Sequence, residues 1–237
     1  MSDLGEVLEL MHTSSERWSS LRLRGHEWRH LETFSRAWEH DVTELRKHAS
    51  VTVMSARFEK PGEPQEESRE DWRVWLARPD KRRTQFQVGD QVVTAVFLGD
   101  HWWSWSPGGF RTNDGALSFS HGFGPGEGLV HPARHITSLQ MRVAGRTTFL
   151  SRPAFDVAAV PHTSEPHGFE RTFHMLGTGA DLYKLVVDAE VGILLRSQAE
   201  FHGEPFRVIE VDDIGVNELL APETFDPDLL RDGVVEL

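Results

Sequence analysis

His131 and His135 stand four residues apart in HPARHITSLQM, a segment led by Pro132 that reads as a short helix over 131–141. That spacing turns two imidazoles to one face, as in metal-binding helices. Between them lie Pro132, Ala133 and Arg134, so the glutamate of a zinc protease is missing and a guanidinium would repel a cation. Spacing names no third ligand, so these histidines are expected in structural or surface roles and no metal is expected. His26 and His30 share a face of an extended segment, read as a solvated edge with Glu27 and Arg29 opposite. The carboxylate pairs Asp212–Asp213 and Glu66–Glu67 read as solvated turn or loop charges. Asp156 and Asp188 lie in or at the end of apolar strands, where burial would raise a carboxyl pKa, although Asp188 also opens a turn, an ordinary place for that residue. GxSxG, GxxxxGK and GxGxxG signatures are missing, and Pro125 interrupts the glycines of GFGPGEG. No catalytic residue and no cofactor is assigned.

Tryptophan is the other residue type with chemical promise. Trp18, Trp28, Trp38, Trp72, Trp75, Trp102, Trp103 and Trp105 all fall in the first half of the chain. Each can serve as core or line a ligand site; the HWWSWS cluster at 101–106, beside a Gly-rich segment, suits either role.

The elements that must position these residues follow from pattern. The chain has 237 residues with 25 Lys plus Arg against 37 Asp plus Glu, a net charge of -12, which argues against a nucleic-acid surface. That length suits one β-rich domain over 1–237, able to bury its own core. The lack of cysteine excludes thiolate catalysis, cysteine-ligated zinc and iron–sulfur clusters. The first residues lack the basic, apolar and cleavage regions of a signal peptide, so the expected location is cytoplasmic, and no apolar run reaches the length of an integral membrane span.

Leu4, Val7, Leu8, Met11 and Trp18 form a helical stripe, LRLRGHEWRH alternates as a strand, and Leu31, Phe34, Trp38, Val42 and Leu45 predict a second helix over 31–47, with a longer first strand as the alternative. The N-terminal helices thus occupy 3–47. Hairpin strands follow at 51–58, 71–78, 82–89, 91–99 and 101–106, with 61–71 a charged loop. Residues 107–129 read as a Gly-rich, lid-like loop, making 107–141 with its helix a cover. Strands resume from 142 to 216, so the sheet spans 51–216, and PETFDPDLL is an extended closing segment. Strand 71–78 puts Trp72, Val74 and Leu76 on one face and Trp75 and Ala77 on the other, and 91–99 is apolar on both faces too. Either a second layer covers the outer face, or a partner or another subunit does, so an oligomer is possible.

VAGRTTFLSRPAFDVAAVP, followed by DLYKLVVDAEVGILLRSQAEFHGEPFRVIEV, resembles the paired hairpins of LolA-like lipoprotein carriers, a group that includes the N-terminal domain of RseB-type regulators and related actinobacterial proteins. The match rests on Gly145 with the strand Arg152-Pro153-Ala154-Phe155, on Tyr183 to Asp188 with the turn Asp188-Ala189-Glu190-Val191-Gly192, and on Leu195-Arg196. The resemblance implies an α+β fold: a strongly curved antiparallel half-barrel, with N-terminal and mid-chain helices covering an apolar cavity. It also implies non-catalytic binding or carriage of a hydrophobic small molecule or acyl chain, such as a lipid, an isoprenoid or a polyketide-like product. The expected ligand-binding residues are Trp75, Phe86, Phe97, Trp103, Trp105, Phe119, Phe123 and Phe149. Two alternatives stand beside this: a cavity enzyme, a cyclase or isomerase using Tyr183, Asp156 or a histidine as acid or base, and a protein-interaction domain.

Overall fold

The computed structural model describes residues 3–48, 66–88, 91–106, 108–113, 124–162 and 174–231. The expected strand 51–58 lies outside them. In chain order the elements are α1 (Asp3–His12), a 3-10 turn (Ser14–Glu16), β1 (Ser20–His30), α2 (Leu31–His48), β2 (Glu67–Ala77), β3 (Lys81–Val88), β4 (Gln91–Leu98), β5 (His101–Ser106) and β6 (Gly109–Thr112). There follow α3 (Glu127–Val130), α4 (Ala133–Ile136), β7 (Leu139–Phe149), β8 (Arg152–Pro161), α5 (His174–Gly177), β9 (Leu182–Asp188), β10 (Leu194–Phe201), β11 (Glu204–Val216), a 3-10 turn (Pro222–Phe225) and α6 (Pro227–Arg231).

The strands form one open, curved sheet of eleven, in the order β6-β5-β4-β3-β2-β1-β11-β10-β9-β8-β7, with all recorded pairings antiparallel. Within each wing strands consecutive in sequence lie side by side, although α2 comes between β1 and β2 and α5 between β8 and β9. The two wings join through β1, which pairs with β2 on one side and with β11 on the other. Irregularities at Arg24/Gly25, Val143/Gly145, Leu194/Arg196 and Ala199/Glu200 interrupt the ladders, and such bulges bend a strand and increase its twist.

The helices sit on one face of this sheet. α1 and α4 pack on β7, α2 on β1 and β11, and α3 and α5 on β10. Between them and the strands lies the main core, in which Trp72, Tyr183, Phe155 and Phe206 are fully buried with Met11, Leu21 and Leu23. α1 contributes Val7, Leu10 and Met11, a stripe at three- and one-residue steps, whereas Trp18 joins the core from beyond the helix end.

Five sequence expectations are corrected. β1 is a central strand and no solvated edge: its long-range pairing with β11 buries Glu27 in the interior. β2 begins at Glu67 inside the expected charged loop, because His30 pairs with Glu67 and the ladder to β1 satisfies the backbone of a polar, exposed strand end. The helix over 131–141 shrinks to α4, since Leu139 and Met141 already pair with Pro161 and Ala159. The closing tail is two short helical turns, and Asp212 and Asp213 lie in β11, where Asp213 pairs with Arg22 and Asp212 with His26.

Candidate functional site

Opposed residues in an antiparallel ladder point to the same face, so strand pairing decides which aromatic residues meet. Trp72, Val74 and Leu76 of the core face oppose Phe86, Thr84 and Arg82 on β3. These in turn oppose Val93, Ala95 and Phe97 on β4, and Phe97 and Ala95 oppose Trp102 and Ser104 on β5. The inner face of the β3–β5 wing is therefore two adjacent rows, Arg82–Phe97–Trp102 and Thr84–Ala95–Ser104, with Phe86 and Val93 beyond.

The expected ligand set is divided by this register. Phe86 and Phe97 face inward on the wing. Trp75, Trp103 and Trp105 face outward, with the Arg83 guanidinium 4.8 Å over the Trp75 ring and Phe110 5.0 Å from Trp105, so they cannot line one site with Phe97. Phe149 lies on β7 at the far edge of the sheet and packs partly buried against the main core. Phe119 and Phe123 lie outside the described residues. Trp102 is the inward tryptophan of β5, and the expected set omitted it. The signal was present: Gly99 and Asp100 form a two-residue hairpin turn, Gly99 with φ +59°, and a hairpin that tight places Phe97 opposite Trp102 and Val96 opposite Trp103.

The doubly apolar character of β4 has a local cause. The 3-10 turn Pro222–Phe225 packs on the outer face of β3 and β4, burying Phe225 and bringing the Thr224 carbonyl 3.4 Å from Arg83 Nη1. Pro222, Phe225 and Pro227 border an open groove there with Asp80, Lys81 and Leu98.

Of the lid-like segment, residues 108–113 and 124–129 are described. Gly109–Thr112 is edge strand β6, and Glu127–Val130 is the buried turn α3. The chain before α3 lies directly on the core face: a Cβ on Gly124 would come within 2.8 Å of Phe86, and one on Gly126 within 2.9 Å of the Trp72 ring. Its middle, 114–123, lies outside the described residues.

Inward on the wing, Ala95, Phe97 and Trp102 form a buried apolar cluster apart from the main core. The Arg82 guanidinium lies 4.3 Å from the Phe97 ring centre. Burial pulls its pKa down to about 10, a shift that the Glu127 carboxylate opposes and Arg134 reinforces. Thr84 and Ser104 are 1% and 2% exposed, and their hydroxyls make no hydrogen bond.

Next to the wing, His131 and His135 are both pushed down to about 4, first by burial and, for both, also by Arg134. His135 is fully buried and donates from Nε2 to the Gly128 carbonyl at 2.9 Å. Neither histidine takes a proton readily in the folded chain, whereas the unfolded chain binds one below about 6.5. Stability is therefore expected to be complete above pH 6.5 and to fall as pH drops toward 4, lowering the thermal midpoint by several degrees. A His135→Gln variant should flatten part of that slope in melts across this range; an unchanged slope in a folded variant would refute the assignment.

The residues considered for acid–base work do not converge. Tyr183 is buried and donates to the Gly177 carbonyl at 2.6 Å, while Asp156 is exposed, against the expectation of burial. Asp188 is buried, accepting from Arg152 at 2.5 Å and, through Oδ1, from the Glu190 and Val191 amides at 2.9 and 2.8 Å, which makes it the anchor of its turn. The most charged interior assembly is one the sequence reading placed on the surface. Glu27 Oε1 accepts from Arg29 Nε at 2.5 Å and Arg207 Nε at 2.6 Å, and Arg207 also donates to the Met175 carbonyl at 2.9 Å. On the outer face, ligand atoms of His26, Glu210 and Asp212 lie within 4.8 Å of one another, but Arg196 sits 3.0 Å from Glu210 and the group is an ion-pair network.

No protein-family model and no curated protein matches the chain. Among solved structures, the MucA/MucB complex of Pseudomonas aeruginosa is similar at 12% identity and TM-score 0.45, over 95% of this chain and 61% of that one. The lipoprotein LppX of Mycobacterium tuberculosis is similar at 9% identity and TM-score 0.48, over 93% and 99% of the two chains. A LolA superfamily protein from Nitrosomonas europaea is similar at 10% identity and TM-score 0.36, over 95% and 98%. The chain spans about three fifths of the length of the MucB chains it matches. These are likenesses of fold alone. Among the described residues no helix is long and apolar enough to cross a membrane.

Proposed function

We propose that the chain binds a hydrophobic small molecule or acyl chain, without catalysis, against the inner face of β3–β5. The observation that carries this reading is the second apolar cluster of Ala95, Phe97 and Trp102, which shares the inward face of the sheet yet stands apart from the core that the helices close. Phe86, opposite Trp72 on β2, packs against the main core. A lipid, an isoprenoid or a polyketide-like product would gain about 0.8 kcal/mol for each methylene buried there, so micromolar binding calls for more than about ten buried methylenes once ordering costs are met. The scattered acid and base candidates favour a carrier or sensor over a cyclase or isomerase.

Native mass spectrometry of the purified protein, followed by organic extraction, tests the proposal. An apolar molecule released at close to one per chain is the expected result and gives the ligand's class. A protein that arrives empty and takes up no added acyl chain overturns it.

A further inference from the structure

His26 of β1 meets Glu210 and Asp212 of β11 on the outer face of the sheet, where the two wings join. His26 and Glu210 are cross-strand partners, and the irregularity beside Gly25 passes over Asp212, since Arg24 pairs with Asp213 and Gly25 with Val211. An extra residue in a ladder bends its strand and re-aims a side chain, and such bulges gather beside functional sites. Both carboxylate oxygens of Asp212 stand close to His26 Nδ1, at 3.1 and 3.0 Å. One ligand atom from each of the three residues lies within 4.8 Å of the other two, and all three side chains are partly exposed, so an ion reaches them from solvent without opening the fold. As an ion-pair network these groups have one loose join. Arg196 Nε lies 3.0 Å from Glu210 yet makes no hydrogen bond, and the aligned bond of that guanidinium runs from Nη2 to Gln198 at 2.9 Å. Glu210 is thus held by charge alone. Arg22 is taken up by Asp213 and Glu218, and Arg24 stands opposite Asp213. On β2, Asp71 is the other cross-strand neighbour of His26, so the imidazole has a carboxylate-bearing residue on each side.

We infer that His26, Glu210 and Asp212 bind a divalent transition-metal ion of the zinc type, which clamps β1 to β11 at the join of the two wings. One imidazole nitrogen with two carboxylates suits zinc better than calcium or magnesium, which take oxygen ligands. Tetrahedral zinc, with bonds of about 2.0–2.2 Å, holds its ligand atoms about 3.4 Å apart. The separations between His26 and Asp212 are already near that value, and Glu210 closes the remainder by a side-chain rotation that breaks no hydrogen bond with Arg196. This site is independent of the apolar inner face.

Calorimetric titration of the chelator-treated full chain with zinc chloride near neutral pH, beside calcium and magnesium chlorides, tests this. Zinc should bind at one ion per chain and raise the thermal midpoint, because only the folded ladder assembles the three ligands, whereas calcium and magnesium should do neither. His26→Gln, Glu210→Gln and Asp212→Asn should each weaken zinc binding by at least about tenfold. His202→Gln is the control for capture by a surface histidine, since His202 is exposed and also lies near a carboxylate, that of Asp181 at 3.4 Å; it should leave the affinity unchanged. Three single changes at separate positions keep the test open should one of them fail to fold. A natural chain that binds no zinc, or an affinity that survives any of the three changes in a folded chain, overturns the inference and leaves the apolar site standing.

Discussion

Replacing Gly25 by valine is expected to cost more than about 3 kcal/mol and to lower the thermal midpoint by roughly 10 °C. A Cβ at this position would lie 2.1 Å from the Glu210 carbonyl oxygen and 2.4 Å from the Trp72 indole. The first of these atoms is backbone and cannot step aside without opening the β1–β11 ladder at its irregularity. The second belongs to one of the largest fully buried side chains of the core. Trp72 is also limited from the other direction, by Gly126 of the segment leading into α3, so it has no free direction in which to retreat. Gly25→Ala should show most of the same loss. Gly145→Ala is the control, because a Cβ there meets nothing within 4 Å, and it should stay within about 0.5 kcal/mol of the natural chain. Chemical denaturation of the three variants checks this; a Gly25→Ala chain as stable as the control would refute the packing of Trp72 across β1.

Truncating Glu27 to alanine should cost about 3 kcal/mol, because it strips the shared carboxylate from the well-buried Arg207 guanidinium and from the partly exposed Arg29. Glu27 is 1% exposed, and the side chain of Arg207 is only 12% exposed. Burial pushes the Glu27 carboxyl up, but the charges of Arg207 and Arg29 and their hydrogen bonds pull it further down, so it sits below its ordinary value of 4.5. The folded state therefore gains from this carboxylate above pH 4.5, and the gain is lost as pH falls through the lower folded value. Acid unfolding should show two stages. The histidines act first, between pH 6.5 and about 4, and Glu27 acts below 4.5. A double-mutant cycle of Glu27→Ala with Arg207→Met measures the coupling directly. A single change that costs less than 1 kcal/mol would show the triad to be solvated, contrary to its burial.

Both predictions concern β1, the strand whose surroundings were hardest to read from the chain. Its alternation of Leu21, Leu23 and Gly25 against Arg22, Arg24 and His26 announced a strand, and α2 followed almost where the helical spacing put it. Nothing nearby in sequence announced β11 as its neighbour, since Leu21 pairs with Val216 across nearly the whole chain. That one pairing converts an apparent edge into the middle of the sheet, and with it Glu27 from a surface charge into an interior one. The ligand residues divided for a related reason. Residue type puts Trp75, Phe86, Phe97, Trp103 and Trp105 in one set, whereas the two-residue period sets Trp103 opposite in sense to Trp102.

What the sequence by itself determined is local: β3 to β5, β7 with β8 and β9 to β11 as hairpins, α1 and α2 as amphipathic helices, and the two-faced apolar character of β4. Alternation, helical spacing and turn residues are written over a few neighbours, and strands joined by short turns pair with little loop-closure cost. Tertiary structure alone decided the rest. Closure of β1 onto β11 set which face of every strand is inside, seating of the 3-10 turn Pro222–Phe225 on β3 and β4 gave the outer face its cover, and the row of Thr84, Ala95 and Ser104 became a site feature only when three strands aligned. Such decisions depend on contacts between residues far apart in the chain, whose energies no local pattern encodes.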